Sequence, residues 1–208
     1  KKKDKMKFYL YKKELCSSIY KPNLSYLKKF PDYDRFSVVK ELDIQATTID
    51  EEFKNTKIDF VKIDTEGGEL DILKGGEKSL HNLLGLEVES EFFQLRINQP
   101  LFNEIKLFLE NKGFVFVDFL RISRWERFKL RNTGQPQFAD VLFLKSPESF
   151  ISELKNSKNE QLISKYVTIL CLYNRVDYLQ FLIENLNSEY VDKFKIKELL
   201  HLVEKKIK

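Results

Sequence analysis

The sequence predicts an α/β fold in which a mixed sheet with flanking helices is followed by a purely helical extension. Three observations predict it. An apolar run, Ile58, Phe60, Val61 and Ile63, breaks off at Asp64-Thr65-Glu66-Gly67-Gly68 and passes into a helical pattern, which is half of a βαβ unit. Three more strand-like stretches follow, at residues 83–92, 114–120 and 139–145. Glycine then disappears after Gly134, and residues 148–208 read as helix throughout.

In chain order, Lys1–Lys5 reads as a charged end and Phe8-Tyr9-Leu10-Tyr11 as a strand by its aromatic content. Cys16-Ser17-Ser18 breaks that pattern and Pro22-Asn23 marks a turn. Phe36-Ser37-Val38-Val39 is a second short strand, and a helix is expected after Thr48. The run at 58–63 is too dense in apolar residues for a one-sided strand, so it is read as parallel and buried on both faces. The helix after Gly68 carries Leu70, Ile72 and Leu73, meets a stop at Gly75-Gly76, and is extended to about Leu83 with His81 near its end.

In the strand from Leu83 to Phe92, alternation places Glu87, Glu89 and Glu91 on one side and Leu86 and Val88 on the other. Gln99-Pro100 to Lys112-Gly113 is a helix with Pro100 in its first turn and Gly113 at its end. Residues 114–120 and 139–145 are strands, joined by a polar loop, Arg121–Gln137, that carries Arg121, Arg124, Trp125, Arg127 and Arg131. Because hairpins join antiparallel strands, the last strand should run antiparallel to its neighbours in one shared sheet. The tail is read as helices over Glu160–Tyr173 and Arg175–Leu186, then a last one with Ser188 as N-cap. Their apolar stripes must bury on each other, on the sheet domain or on another chain. Domains are therefore expected at 1–145 and 146–208.

A hydrophobic fraction of 42% with 18 Phe supports a packed core and argues against disorder. Lys+Arg 36 against Asp+Glu 32 describes a mixed surface, not a nucleic-acid binder. Arginines around Trp125 would suit a stacking patch, but the exposed end of a hairpin, or a loop at the rim of a cleft, explains them as well. Two separated cysteines indicate neither a zinc site nor a disulfide scaffold and leave a reducing, cytoplasmic setting as the default. No apolar run has the length of a membrane span. The chain opens on Lys1 without an initiator Met, which suggests the tail of a longer polypeptide, although processing would give the same start.

The candidate site lies in the acidic turn. Asp64 and Glu66, at i and i+2, leave the strand at its carboxyl end, where open α/β sheets bind their ligands. A calcium loop does not fit, because its sixth position is Glu69 and its twelfth Gly75. Two distant histidines support neither a metal set nor a triad, and no metal is expected. His81 reads either as a base or as a surface cation at a helix end. Ser17 and Ser18 read as turn formers on their own.

The string DFVKIDTEGGELDILKGGEKSL resembles the signature of the FkbM-type methyltransferases, S-adenosylmethionine-dependent enzymes of the class I, Rossmann-like fold. The resemblance extends from about residue 7 to 145, through Cys16–Tyr20 with Pro22-Asn23, Leu86-Glu87-Val88, Gln99–Phe102 and Gln137–Phe143. It implies O-methylation of a hydroxyl on a sugar, another glycan or a secondary metabolite. It implies Asp64 and Glu66 as catalytic, Asp64 also at the cofactor's amino group, and Ser17, Ser18, Glu87 and Glu89 at the substrate. Such a fold needs a glycine-rich turn after its first strand and an acid after its second. This chain has no Gly before Gly67 and no G-x-G. The expectation is thus the carboxyl-terminal portion of such a sheet, lacking the cofactor half and inactive alone. The alternative is a degenerate, non-catalytic scaffold whose helical tail is an interaction module.

Overall fold

The structure is a computed structural model that describes residues 4–128, 133–157 and 159–207. The chain divides into two compact units, Lys1–Leu144 and Lys145–Lys208.

In the first unit, β1 (Asp4–Tyr11) pairs antiparallel with β2 (Val38–Ala46), Phe8 facing Leu42. The segment between them carries two 3₁₀ turns, Glu14–Cys16 and Tyr33–Phe36, and the short helix α1 (Leu24–Leu27). Asn23 caps α1 by accepting from the Tyr26 N–H. The strand expected at Phe36–Val39 begins later: Phe36 closes a 3₁₀ turn and is buried, and extended pairing starts at Val38. Thr48 caps α2 (Ile49–Glu52), as its position before an acidic first turn requires.

A second sheet has the order β3-β4-β6-β5. β3 (Phe60–Ile63) runs parallel to β4 (Gly85–Glu91), with Lys62 beside Glu87 and Ile63 beside Val88. The crossover holds two short helices, α3 (Glu69–Lys74) and α4 (Glu77–Leu80), where one running to Leu83 was expected. Gly75 and Gly76 divide them, and Asp50 accepts hydrogen bonds from Lys78 N and Ser79 N at the start of α4. β4 leads through α5 (Phe102–Glu110) to β5 (Phe114–Trp125) and then β6 (Gln135–Lys145). Pro100 precedes α5 rather than forming its first turn. β6 lies between β4 and β5 and is antiparallel to β4, Glu89 facing Asp140. Both arms of the expected polar loop are strand, so the connection proper is short; Arg131 lies outside the described residues.

Alternation gives this sheet two unlike faces. Ile63, Leu86, Val88, Val141 and Phe143 join Leu70, Leu73, Leu80, Ile105 and Leu109 from the helices in one core. Lys62, Glu87, Glu89 and Asp140 share the other face, set opposite one another by register. Gly85 opens β4 because nothing larger fits: a Cβ there would stand 2.4 Å from Leu144 Cδ2.

Among the described residues, the second unit holds five helices: α6 (Pro147–Ser157), α7 (Gln161–Leu172), α8 (Val176–Asn185), α9 (Ser188–Lys193) and α10 (Ile196–Ile207). α8 packs on α7 and α10, and Leu179 and Leu182 of α8, Ile163 and Leu170 of α7 and Val203 of α10 are buried. Tyr166 stacks on Phe150, centroids 4.2 Å apart. The expected last helix is two, broken at Lys195, whose φ of 51° is left-handed. Asn187, not Ser188, supplies the cap, accepting from Glu189 N at 3.0 Å. No helix among the described residues is long and apolar enough to cross a membrane.

Candidate functional site

β3 ends at Ile63, and the chain turns through Glu66 at φ 60° and Gly67 at φ 102° before entering α3. Two successive left-handed residues reverse the chain within a few positions. Glycine takes that conformation freely; glutamate needs support. The support is side-chain hydrogen bonding. The buried Glu69 carboxylate accepts from Thr65 N at 2.7 Å, Thr65 Oγ1 at 3.0 Å and Gly67 N at 3.2 Å. The Ser18 hydroxyl donates to the Glu66 carbonyl at 2.7 Å and accepts from Tyr20 N at 3.1 Å. Glu69 thus satisfies the N–H groups ahead of α3, leaving Asp64 with no capping role there.

Asp64, Glu66 and Glu89 each bring a carboxylate oxygen within 4.8 Å of the other two. Asp64 is exposed at the end of β3, and Glu89 is half-buried on the neighbouring parallel strand. Neither carboxylate has a hydrogen-bond partner among the described residues. Burial and the charges of Asp64, Glu91, Glu66 and Glu69 push the Glu89 carboxyl up to about 9. Burial also raises Glu66, against the attraction of Arg96. Glu91 lies deeper and is raised by burial and by Glu69, with Arg96 opposing.

Arg96 is the cation that Glu66 and Glu91 share. Its side chain is fully buried, Nη1 donating to Glu91 Oε1 at 2.9 Å and Nη2 pairing with Glu66. The next cation, Lys62, faces Glu87 at 2.5 Å and Asp140 at 3.9 Å. Chemically the cluster is a proton-retaining, negatively biased group of carboxyls that suits a cationic group such as an ammonium, or a hydroxyl donating its proton. Acid clusters of this kind often form without an ion, so the spacing alone assigns no metal.

The other sequence-derived candidates fall around this centre. Ser18 lies behind the turn, buried, and holds it. Ser17 is buried with its hydroxyl accepting from Tyr11 N at 3.0 Å, so it braces the β1 end. Glu87 is engaged with Lys62, one residue pair below Glu89 along β4. His81 sits exposed at the end of α4. Trp125 is packed among Phe30, Phe36 and Phe138, with the Arg35 guanidinium 4.8 Å from its ring. Arg124 donates to the Gly134 carbonyl at 3.1 Å. On the other side of the turn, Thr65 and Gly68 help to line a mostly apolar cavity of about 600 Å³ with Phe8, Ile19, Ile44 and Ile72.

Two participants escaped the sequence reading. Glu69 carried a signal, an acid three residues beyond Glu66 at the start of a helix. Arg96 carried none, because two of its three acceptors, Cys16 and Glu66, lie at distant points of the chain.

A family model described as the methyltransferase FkbM domain matches residues 3–116 of the chain, which includes the acidic turn, Glu89 and Arg96. No curated protein and no solved structure matches the chain.

Proposed function

This chain belongs to the FkbM methyltransferase domain family, and we propose that it is the acceptor-side portion of an S-adenosylmethionine-dependent O-methyltransferase. The acceptor is a hydroxyl on a sugar, another glycan or a secondary metabolite. The observation that carries this reading is the convergence of Asp64 with Glu66 and Glu89 at the carboxyl ends of parallel β3 and β4, where such sheets bind ligands. The sheet order β3-β4-β6-β5, with β6 inserted antiparallel, supports a partial class I sheet.

The residues present suit part of the cofactor. Three converging carboxylates, two of them without hydrogen bonds, fit its ammonium end; nothing in the sequence offers the glycine turn or ribose acid for its nucleoside end. When bound, the cofactor supplies an electrophilic methyl group. Asp64 would hold the ammonium or accept the hydroxyl proton as the oxygen–carbon bond forms, and Glu66 would fix the turn beside it. Glu89, protonated at neutral pH, would donate a hydrogen bond to a neighbouring carboxyl or to the acceptor oxygen.

The second reading, a non-catalytic scaffold whose helical tail contacts another chain, draws on that same absence of a glycine turn and on exposed Leu172 and Leu202 in the helical unit. Titration calorimetry with S-adenosylmethionine tests the first. The expected result for these 208 residues is no binding tighter than tens of micromolar, about −6 kcal/mol. Tighter binding would overturn the assignment of the nucleoside site to a part of the fold outside them. Self-association on sedimentation, lost when Leu172 and Leu202 are both changed to Lys, would favour the scaffold.

A further inference from the structure

Arg96 lies on the connection after β4, outside every strand and helix, yet its side chain is fully buried. A guanidinium is costly to bury unless its donors are met by fixed acceptors. Its two Nη groups meet acceptors from three separate segments, Glu91 Oε1 at the end of β4, Glu66 in the acidic turn, and the Cys16 carbonyl in the serine loop at 3.3 Å, while Nε is buried with no partner among the described residues. The aliphatic stem runs along Gly67, where an added Cβ would meet Arg96 Cδ at 3.3 Å.

The backbone that carries this side chain is itself held. Arg96 N donates to Gln99 Oε1 at 2.6 Å, and Ile97 N to the Lys21 carbonyl at 2.8 Å. Asn23 N donates to the Leu95 carbonyl at 2.9 Å, and Pro22 forms an isolated antiparallel bridge with Arg96. The guanidinium is a planar fork that satisfies two carboxylates in fixed directions, which a lysine ammonium does not reproduce. Nothing in the β3 turn does the same work: Glu69 grips the backbone on either side of Glu66, and Ser18 grips its carbonyl, but the Glu66 carboxylate is held by Arg96.

We propose that Arg96 is the positioning residue of the acid cluster, fixing the Glu66 carboxylate and the left-handed turn that carries it, so that Asp64 and Glu89 meet it from the two strand ends. It touches no reacting atom in this arrangement and acts through Glu66. The inference rests on the reading of the cluster as the reacting end of the fold, but its test does not.

The test is a carbon-detected NMR titration of the 208-residue chain labelled at the glutamate side-chain carboxyl, Glu66 being assigned by the signal lost in Glu66→Gln. The groups facing Glu66 are Arg96, Asp64, Glu69, Glu89 and Glu91, with Tyr11 and Cys16 at the rear. Two variants are compared with the wild type: Arg96→Lys, and the double change Arg96→Met with Glu91→Met, which removes both buried charges together and spares the interior an unpaired one. The expected result in both is a Glu66 midpoint raised by about one pH unit or more. Glu87, held by Lys62, should stay put, and the Gly67 amide should exchange about tenfold faster. A Glu66 midpoint or Gly67 exchange rate at its wild-type value in a folded variant overturns the proposal. Loss of the folded spectrum in both variants overturns it too, since Arg96 would then be a residue of the fold as a whole. If both readouts move as expected while no methyl transfer is ever found, Arg96 still positions the cluster, and only the functional reading falls.

Discussion

Glu89 should make the stability of the sheet unit fall as pH rises through neutrality. Its carboxyl goes from an ordinary value near 4.5 to about 9 in the folded chain, through burial and through Asp64, Glu91, Glu66 and Glu69. Between those values the folded state holds a proton that the unfolded state has released. The contribution is fully present below the unfolded value and is lost as pH climbs toward the folded one. Each pH unit in that window is worth at most about 1.4 kcal/mol, so the interval from about pH 5.5 to about pH 8.5 bounds the loss at about 4 kcal/mol. Glu89 is only half-buried, and water reaching it reduces the expected loss to about 2 kcal/mol. Urea unfolding followed by tryptophan fluorescence measures it cleanly, because the single Trp, Trp125, is packed among Phe30, Phe36 and Phe138 in the same unit. Glu89→Gln carries no titrating proton and should show a shallower pH dependence; Glu91, Glu66 and Asp140, also raised, keep the remainder. Equal wild-type stability at the two pH values, or an unchanged slope in Glu89→Gln, would refute the electrostatic reasoning.

Asp64→Asn should leave the melting midpoint within about 1 °C, because Asp64 caps nothing and removing its charge relieves its neighbours. In an enzyme whose cofactor half is present it should lower methyl-transfer turnover about 10²-fold, as loss of one positioned acid–base group does; near wild-type turnover would remove Asp64 from the mechanism. Gly67→Ala should destabilise the chain by about 1–3 kcal/mol, since it places a Cβ on a left-handed backbone and against Arg96. Gly113→Ala is its control, with φ 87° and no atom within 4 Å of the added Cβ. Chemical denaturation of both should show Gly67→Ala as the more costly, and equal costs would mean that the Arg96 contact contributes nothing.

The features legible in the sequence were those set by neighbours along the chain. The apolar run 60–63, the abrupt change at Asp64 and the paired glycines define strand, turn and helix within about fifteen residues, so pattern alone locates them. The polar connection between residues 120 and 139 reads as a hairpin, and β6 does run antiparallel to β4. Alternation along β4 placed Glu87, Glu89 and Glu91 on one face because a strand's period is two. Where local rules competed, boundaries moved: Phe36 went to a 3₁₀ turn, Gly75-Gly76 divided a helix, and Lys195 broke another.

Tertiary structure alone decided what those acids face. Glu87 and Glu89 lie two residues apart on the same face, yet one meets Lys62 and the other meets Asp64 and Glu66. That difference comes from the parallel register of β3 on β4, which no local pattern encodes. The insertion of β6 between β4 and β5 is a choice of strand order, made by burial across the whole sheet. Arg96 has no local signature, because its acceptors at Cys16, Glu66 and Glu91 lie 80, 30 and 5 residues away. The sequence by itself determined that a carboxylate stands at the end of a buried strand. Folding determined which carboxylates surround it and that Arg96 pairs with Glu66 and Glu91, because charge interactions depend on distance in space and not on separation along the chain.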